Sequence, residues 1–332
     1  MNGYTAAATR YDNSDTLYRR CGNSGVLLPK ISLGLWQNFG ANASFDNCRE
    51  VLRYAFDNGI THFDLANNYG PPPGSAETLF GQVLKTDFAP YRDELFVATK
   101  AGYDMWQGPY GSWGSRKHIM ASLDCSLKRM GLEYVDLFYT HRYDPVTPLE
   151  ETLQALVDIV RAGKALYIGI SRWPLEALKF ANEYLRSRDV PPLIYQGRLN
   201  LLDRAVEEEG ICDYCAANGI GFISFSALGQ GLLTPRYLGG IPGDSRMAAA
   251  GSLPQEKLTP ELQEYLRSLS SVAVQRNEPM AAMALAWVLS RKAVTSVLVG
   301  ARNVQQFADS LQCINLPSQG LENLPFYGHK VF

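Results

Sequence analysis

The chain alternates short apolar segments with longer amphipathic ones, and this alternation limits the folds that it can adopt. Eight of the short segments are rich in aliphatic and aromatic residues and have the length of buried β-strands. They cover residues 31–34, 61–64, 95–100, 135–141, 165–171, 193–196, 221–225 and 294–299. Eight strands with helical segments between them fit a closed parallel barrel, and an open doubly wound sheet is the main alternative.

The segments between these strands repeat apolar residues with the period of an amphipathic helix. The predicted helices cover residues 46–58, 75–84, 115–130, 148–162, 174–187, 205–218, 259–275, 279–291 and 303–312. Pro174 lies just inside one helix start, and Gly59, Gly131 and Gly163 lie just after helix ends, which are favoured positions for these residue types. The sequence therefore predicts an α/β fold in a single domain over residues 1–332, and a (β/α)8 TIM barrel is favoured over the open sheet.

A barrel of this kind needs about 250 residues, and the chain has 332, so we expect additions to the barrel. Residues 1–16 are predicted to be a flexible N-terminal extension, and residues 17–28 a β-hairpin that turns at 23–25. Residues 102–114 and 226–258 are predicted to be long loops which, with extra helices, lie on the carboxyl face. Loops of this length are usually functional.

Composition argues against several classes of function. The net charge of −2 indicates no nucleic-acid partner. The longest apolar segment, Met280–Leu289, is about half of the ~20 residues that cross a bilayer, so we expect no membrane insertion. The first residues contain no apolar segment of signal-peptide length, and the six cysteines are scattered, which together indicate a cytoplasmic protein. Cys212 and Cys215 could form a redox pair or half a zinc site, but their helical setting favours two packed thiols, and no metal site is predicted.

Four polar residues lie at or just after the ends of predicted strands, where a barrel keeps its active site. Asp64, Lys100 and His141 end three successive strands, and Tyr69 follows Asp64 by five residues. Reduction of a carbonyl takes a hydride and a proton, and a tyrosine hydroxyl can donate the proton. We expect Lys100 to lower the pKa of Tyr69, Asp64 to hold Lys100 charged, and a neutral His141 to orient the substrate carbonyl.

Each of these residues also has an ordinary structural interpretation when it is taken alone. Tyr69 could be a half-buried loop aromatic, Lys100 a solvated strand end, Asp64 a turn cap, and His141 the partner of a backbone carbonyl. Their joint occurrence at strand ends favours catalysis. His62 shares a strand face with Asp64 but lies deeper, and we interpret it as a hydrogen-bonded core residue. A Schiff-base enzyme built on Lys100 is disfavoured, because that chemistry needs a neutral amine.

The same residues carry a resemblance to the aldo-keto reductases. Residues 59–70, Gly-Ile-Thr-His-Phe-Asp-Leu-Ala-Asn-Asn-Tyr-Gly, resemble the first signature of that family. The similarity continues in order through Lys100, His141, 169–171, Gln196, 225–233 and 299–303. Four stretches resemble the branch of L-glyceraldehyde-3-phosphate reductases, which is related to potassium-channel β-subunits: 33–40, 68–77, 100–106 and 240–247. Residues 196–200 differ from that branch, so the resemblance does not predict the pocket wall that they form.

The resemblance implies a barrel that binds NADP(H) in extended form without a Rossmann domain. It implies that Ser171 and Gln196 hold the nicotinamide amide, that Phe225 stacks on its ring, and that the loop after the seventh strand contacts the pyrophosphate. The implied cofactor contacts are Trp36, Asp64, Ser171, Arg172, Gln196, Phe225, Ser226, Leu228, Gln230, Gly231, Leu232, Arg236, Arg246, Gly300, Arg302, Gln306 and Asp309. Of these, Arg246, Arg302, Gln306 and Asp309 lie around the adenosine 2′-phosphate.

The expected activity is NADPH-dependent reduction of small aldehydes and ketones to alcohols, with hydride from nicotinamide and a proton from Tyr69. L-glyceraldehyde 3-phosphate and methylglyoxal are the candidate substrates. The predicted substrate contacts are Trp36, Tyr69, Trp106, His141 and Arg142. The alternative function is an NADP-binding, redox-sensing regulatory subunit resembling the channel β-subunits. Relatives in this branch assemble into tetramers or octamers, so the resemblance allows a homo-oligomer.

Overall fold

The computed structural model describes residues 3–245, 247–248, 253–328 and 331–332. Its strands are β1 Tyr18–Arg20, β2 Leu27–Pro29, β3 Ile31–Gly34, β4 His62–Asp64, β5 Phe96–Ala101, β6 Val135–Thr140, β7 Ala165–Ser171, β8 Pro192–Arg198, β9 Gly221–Phe225 and β10 Val294–Val299. Strands β3 to β10 close into a barrel in which each neighbouring pair is parallel, and β10 pairs with both β9 and β3. The predicted closed barrel is confirmed, and the open sheet is excluded.

Helices separate successive barrel strands, so the carboxyl ends of all eight strands face the same side. The α-helices are α1 Ser14–Leu17, α2 Phe45–Asp57, α3 Ser75–Val83, α4 Arg116–Met130, α5 Leu149–Arg161, α6 Leu175–Arg186, α7 Ala205–Glu208, α8 Ile211–Ala217, α9 Pro260–Gln275, α10 Met280–Leu289 and α11 Val304–Leu311. Ser44, Ser115, Thr259 and Asn303 cap four of them by accepting a hydrogen bond from a first-turn amide, as short polar side chains do.

The segment 205–218, predicted to be one helix, is two helices. Gly210 separates α7 from α8 and adopts a left-handed conformation with a φ of 77°. A residue with a Cβ would be strained at this angle, whereas glycine adopts it readily. The chain therefore turns here and starts a new helix.

The core lies between the barrel and its ring of helices. Every residue of β6 and of β10 is buried, and so is all of α10 except Ala281. Full burial of a leucine or phenylalanine side chain stabilises a protein by roughly 1.5–3 kcal/mol. The apolar run at 280–289 is thus a helix packed in the core. Within the described residues, no helix is long and apolar enough to cross a membrane.

The N-terminal segment is fastened to the barrel. The predicted hairpin is present as an antiparallel pair, β1 with β2. Where the sequence indicated a flexible extension over residues 1–16, the described part makes specific contacts. Tyr4 donates a hydrogen bond to Asp57 (2.7 Å), and Arg10 forms an ion pair with Glu94 (2.7 Å). These contacts hold the segment against α2 and the turn before β5.

Candidate active site

The four predicted catalytic residues meet at the carboxyl end of the barrel. Asp64 ends β4, and Lys100 lies near the end of the neighbouring strand β5. The Lys100 ammonium donates hydrogen bonds to the Asp64 carboxylate and to the Leu65 carbonyl (2.7 Å), and it lies 3.4 Å from the Tyr69 hydroxyl. His141 follows β6 directly, and its ring packs edge-on against that of Tyr69, with 5.7 Å between centroids. A lysine–aspartate pair thus lies behind the tyrosine, and a histidine lies beside it.

Burial controls the protonation of this cluster. Burial raises the pKa of Asp64 and lowers that of Lys100, while the charge of each partner opposes the shift in the other. The close contact between them holds the two as an ion pair. The carboxylate also accepts a hydrogen bond from the Gln196 amide (3.1 Å). The pair is therefore fixed in position by strands β4, β5 and β8 together.

The pKa of Tyr69 is raised in this structure, contrary to the expectation of a lowered value. Burial raises the pKa of Tyr69 well above its usual value of 10.0, and the Asp64 charge raises it further. The Lys100 ammonium cannot offset these effects because its closest partners are the Asp64 carboxylate and a carbonyl oxygen. Tyr69 is therefore protonated, which is the form that can donate a proton.

His141 is neutral, as the sequence argument expected. Burial lowers the pKa of His141 well below its usual value of 6.5, and the positive charges of Lys100, Arg172 and Arg142 lower it further. Its Nδ1 atom is buried without a hydrogen-bond partner among the described residues.

A cavity of about 590 Å³ extends from this cluster to the first turn of α11. Most of the predicted cofactor and substrate residues line it: Trp36, Asp64, Tyr69, His141, Ser171, Arg172, Gln196, Phe225, Ser226, Leu228, Gln230, Gly231, Arg236, Gly300, Arg302, Gln306 and Asp309. A cavity of this size falls within the range of small-molecule and cofactor sites.

Three predicted contacts lie outside the cavity lining. Leu232 is buried in the core. The Trp106 ring packs on His118, 5.0 Å away, and Trp106 is 40% exposed. Arg142 donates hydrogen bonds to Gly102 O and Ser112 Oγ, each at 2.8 Å. Its guanidinium therefore stabilises the loop 102–114 and is not part of the cavity lining. The predicted Arg246 lies outside the described residues.

The cavity lining also contains polar residues that were not predicted from the sequence, and we describe three of them: Asn68, Tyr103 and Arg198. Asn68 lines the cavity, and its Oδ1 atom is buried without a hydrogen-bond partner among the described residues. Tyr103 packs edge-on against His141 at 4.7 Å and accepts a hydrogen bond from Arg172 (2.7 Å). Arg198 also lines the cavity. It follows Gln196 by two residues on one strand, so strand periodicity could have placed it on the same face.

The far end of the cavity carries features that suit phosphate groups. After β9, Ser226, Gly229, Gln230 and Gly231 have positive φ angles of 53°, 55°, 56° and 101°, so the backbone turns tightly along the cavity wall. Arg236 and Arg302 both form ion pairs with Asp244, the latter at 3.1 Å.

The first turn of α11 borders the same end through Gln306. Its cap Asn303 accepts a hydrogen bond from the Gln306 amide (2.9 Å). Arginines and a helix N-terminus are groups that bind phosphates. The residues present therefore fit a dinucleotide that carries an additional phosphate.

The other residues considered for a role in catalysis or metal binding, His62, Cys212 and Cys215, are structural. His62 Nδ1 is bonded to Ser32 Oγ (2.9 Å), and burial lowers its pKa to about 3, which confirms a neutral core histidine. Cys212 and Cys215 are buried free thiols, and burial raises the pKa of Cys212 to about 12. Among the described residues, no group of three or more His, Cys, Asp or Glu is placed to hold a metal ion.

Comparison with known proteins gives results that agree with this geometry. The family model described as "Aldo/keto reductase family" matches residues 30–323. The L-glyceraldehyde 3-phosphate reductase of Escherichia coli strain K12 is 55% identical over 302 residues, which cover 90% of this chain and 87% of the relative. A probable voltage-gated potassium channel subunit beta of Oryza sativa is 32% identical over 305 residues, 90% of this chain and 91% of the relative. A putative subunit of the same type from Schizosaccharomyces pombe is 32% identical over 317 residues, 93% and 91% of the two chains.

Proposed function

The chain belongs to the aldo/keto reductase family, and on that premise we propose that it reduces small aldehydes and ketones to alcohols with NADPH. The observation that carries the proposal is the protonated Tyr69 hydroxyl on the cavity wall, beside a neutral His141 and in front of the buried Lys100–Asp64 pair. Few other reactions need a proton donor, a neutral hydrogen-bonding ring and a dinucleotide cavity in one place.

The strands next to the catalytic cluster would hold the cofactor. Ser171, Gln196 and Phe225 lie at the carboxyl ends of β7, β8 and β9, where the first two would bind the nicotinamide amide and the third would stack on its ring. NADPH, when bound, supplies the hydride that the carbonyl carbon accepts. Arg302 and Gln306 would bind the adenosine 2′-phosphate, and this contact would distinguish NADPH from NADH.

Residues of the chain itself donate the proton that completes the reduction. As the carbonyl carbon gains hydride, negative charge develops on its oxygen, and Tyr69 donates its proton to that oxygen to complete the alcohol. His141 holds the oxygen in place by a hydrogen bond from its neutral ring. The Lys100 ammonium then stabilises the phenolate that Tyr69 has become, until solvent returns the proton.

The proposed substrate is a short aldehyde, with L-glyceraldehyde 3-phosphate first because of the name of the bacterial relative that is 55% identical. Methylglyoxal is the second candidate because it is also small and carries a reactive aldehyde. Asn68 and His141 both line this end of the cavity, and their polar side chains support a polar ligand there.

The experiment that tests the proposal is loss of NADPH absorbance with purified protein. The panel contains D- and L-glyceraldehyde 3-phosphate, methylglyoxal and 4-nitrobenzaldehyde, and NADH replaces NADPH in a parallel series. We expect turnover with NADPH, a preference for the L-isomer of the phosphorylated aldehyde, and weaker activity with NADH. Tight NADPH binding without turnover of any aldehyde would contradict the proposal and favour a redox-sensing subunit.

A further inference from the structure

Arg198 is a charged residue at the substrate end of the cavity. It ends β8, two residues beyond Gln196, so both side chains lie on the same face of the strand. Gln196 donates a hydrogen bond to Asp64, and Arg198 lies one step nearer the cavity mouth on the same strand. Arg198 lines the same cavity as Tyr69 and His141. A ligand that reaches Tyr69 therefore shares its cavity with this guanidinium.

The hydrogen-bonding capacity of Arg198 is largely unused. Its side chain is 25% exposed, and the one carboxylate that it contacts in the described part of the chain is that of Asp203, at 3.4 Å. Its Nε atom is buried without a hydrogen-bond partner among the described residues. The guanidinium lies 5.7 Å from the centre of the Phe225 ring and 4.7 Å from that of Phe332. A guanidinium has five N–H donors; Nε is out of a ligand's reach and one Nη1 donor faces Asp203, so the other donors of the two terminal nitrogens remain for a ligand.

The surroundings of Arg198 favour a negative charge. Burial lowers the pKa of Arg198, Asp203 opposes that shift, and the charge of Arg172 adds to it. Arginine stays charged at all physiological pH values. A second guanidinium, that of Arg172, lines the cavity as well. Two positive charges on one cavity wall, that of Arg198 half-buried and that of Arg172 exposed, favour an anion. A phosphate dianion matches the planar guanidinium through paired hydrogen bonds.

We propose that Arg198 binds the phosphate group of the aldehyde substrate and thereby gives the enzyme its preference for phosphorylated aldehydes. The inference rests on the proposed reductase function and makes its substrate class specific. The phosphates of the cofactor are assigned elsewhere, to the segment after β9 and to the first turn of α11. Arg198 lies on β8, beside the reacting end.

The test is a comparison of two aldehydes that differ only in the phosphate, L-glyceraldehyde 3-phosphate and L-glyceraldehyde. Arg198→Met removes the charge and keeps an unbranched apolar stem, and Arg198→Lys keeps the charge. For Arg198→Met we expect the KM for the phosphorylated aldehyde to rise about tenfold to a hundredfold, since charged hydrogen bonds are lost. We expect kcat to stay within about threefold, and the values for L-glyceraldehyde and the Kd for NADPH within about twofold. Arg198→Lys should recover part of the loss.

The matched control is Arg204→Met. Arg204 is also flanked by aromatic rings, those of Trp287 and Phe326, but it is not part of the cavity lining. We expect both aldehydes to behave in this variant as in the parent protein. Equal losses for the two aldehydes in Arg198→Met would overturn the inference, because they would show a structural role. Weakened NADPH binding would also overturn it, because it would assign Arg198 to the cofactor.

Calorimetry with glycerol 3-phosphate, the reduction product, separates this inference from the proposed function. It needs no turnover. We expect binding to the parent protein and a loss of affinity of at least about tenfold in Arg198→Met. Equal affinity in both proteins would overturn the phosphate assignment, even where L-glyceraldehyde is reduced. Absence of turnover with every aldehyde would overturn the reductase, even where glycerol 3-phosphate binds through Arg198.

Discussion

The charged pairs at the two ends of the cavity differ in their exposure to solvent. At the catalytic end, the Lys100 and Asp64 side chains are 0% and 2% exposed. At the other end, where we propose that Arg236, Arg302 and the first turn of α11 bind the cofactor's phosphates, Arg302 and Asp244 are 39% and 70% exposed. We call this the phosphate end. A buried pair interacts strongly and leaves a costly unpaired charge when one partner is removed, whereas an exposed pair is worth about 0–1 kcal/mol. The catalytic end is therefore fixed before any ligand arrives. If the cofactor's phosphates bind at the other end as proposed, one of them would replace Asp244 at little cost.

The largest effect is expected at the catalytic end. Tyr69→Phe removes the proton donor and leaves its ring, so we expect kcat to fall by about 10²–10⁴-fold while the Kd for NADPH stays within about twofold. Steady-state kinetics and a fluorescence titration with NADPH measure the two quantities. Tyr184→Phe, which removes a hydroxyl bonded to Gln154 on α5, is the control. Near-normal turnover in Tyr69→Phe would show that another group donates the proton.

Much of the catalytic end can be predicted from the sequence because its determinants are local. Asp64 and Lys100 close short apolar runs, and a strand followed by a helix carries its last residues to one rim of a parallel barrel. Arg198 was within reach of the same reasoning, through its spacing from Gln196. By contrast, the break at Gly210 depends on a single left-handed residue within an otherwise helical pattern.

Other features depend on three-dimensional packing and could not be predicted in this way. Trp106 and Arg142 both lie on or near the loop 102–114, and its path determines that one packs on His118 and the other holds the loop. The pKa of Tyr69 is shifted in the opposite direction from the prediction, because burial and the Asp64 charge raise it. The sequence predicted that the residues at the strand ends lie close together. It did not predict how deeply they are buried, and burial determines the direction of the Tyr69 pKa shift.

A stability measurement compares the two charged pairs directly. Lys100→Met leaves Asp64 buried without its partner, and we expect the free energy of unfolding to fall by about 3–5 kcal/mol. Arg302→Ala breaks a pair at the surface and should cost less than about 1 kcal/mol. Urea denaturation of both variants measures the difference. Similar losses in the two would contradict the contrast between the ends.

The stability loss in Lys100→Met should depend on pH. Burial already raises the pKa of Asp64 in the presence of Lys100, and removal of the ammonium eliminates the charge that opposes this shift. The folded variant then binds a proton that the unfolded chain releases, so its stability decreases as pH rises above the unfolded pKa of about 3.9. We expect a larger loss in weakly alkaline buffer than in acidic buffer. Arg302→Ala should show no such dependence.

Arg302 is expected to determine cofactor choice more than stability. In Arg302→Ala we expect the KM for NADPH to rise about tenfold, which corresponds to the loss of a charged hydrogen bond, and the KM for NADH to stay within about twofold. Parallel kinetics with the two cofactors measure this. Arg116→Ala, which breaks an exposed ion pair with Asp158 at 2.5 Å away from the cavity lining, is the control. Equal rises for both cofactors would remove Arg302 from the 2′-phosphate site.

The smallest expected effect is that of salt. Exposed charges are screened over a Debye length of about 10 Å at 0.1 M ionic strength, whereas buried pairs are screened much less. Raising the ionic strength from about 0.05 to about 0.5 M should therefore increase the KM for NADPH a few-fold through Arg236 and Arg302, and leave kcat nearly constant, because Lys100 and Asp64 are shielded inside the barrel. NADH, which lacks the 2′-phosphate, is the internal control and should respond less. A fall in kcat that parallels the rise in KM would mean that salt reaches the catalytic end, and the two ends would then differ less than their exposures indicate.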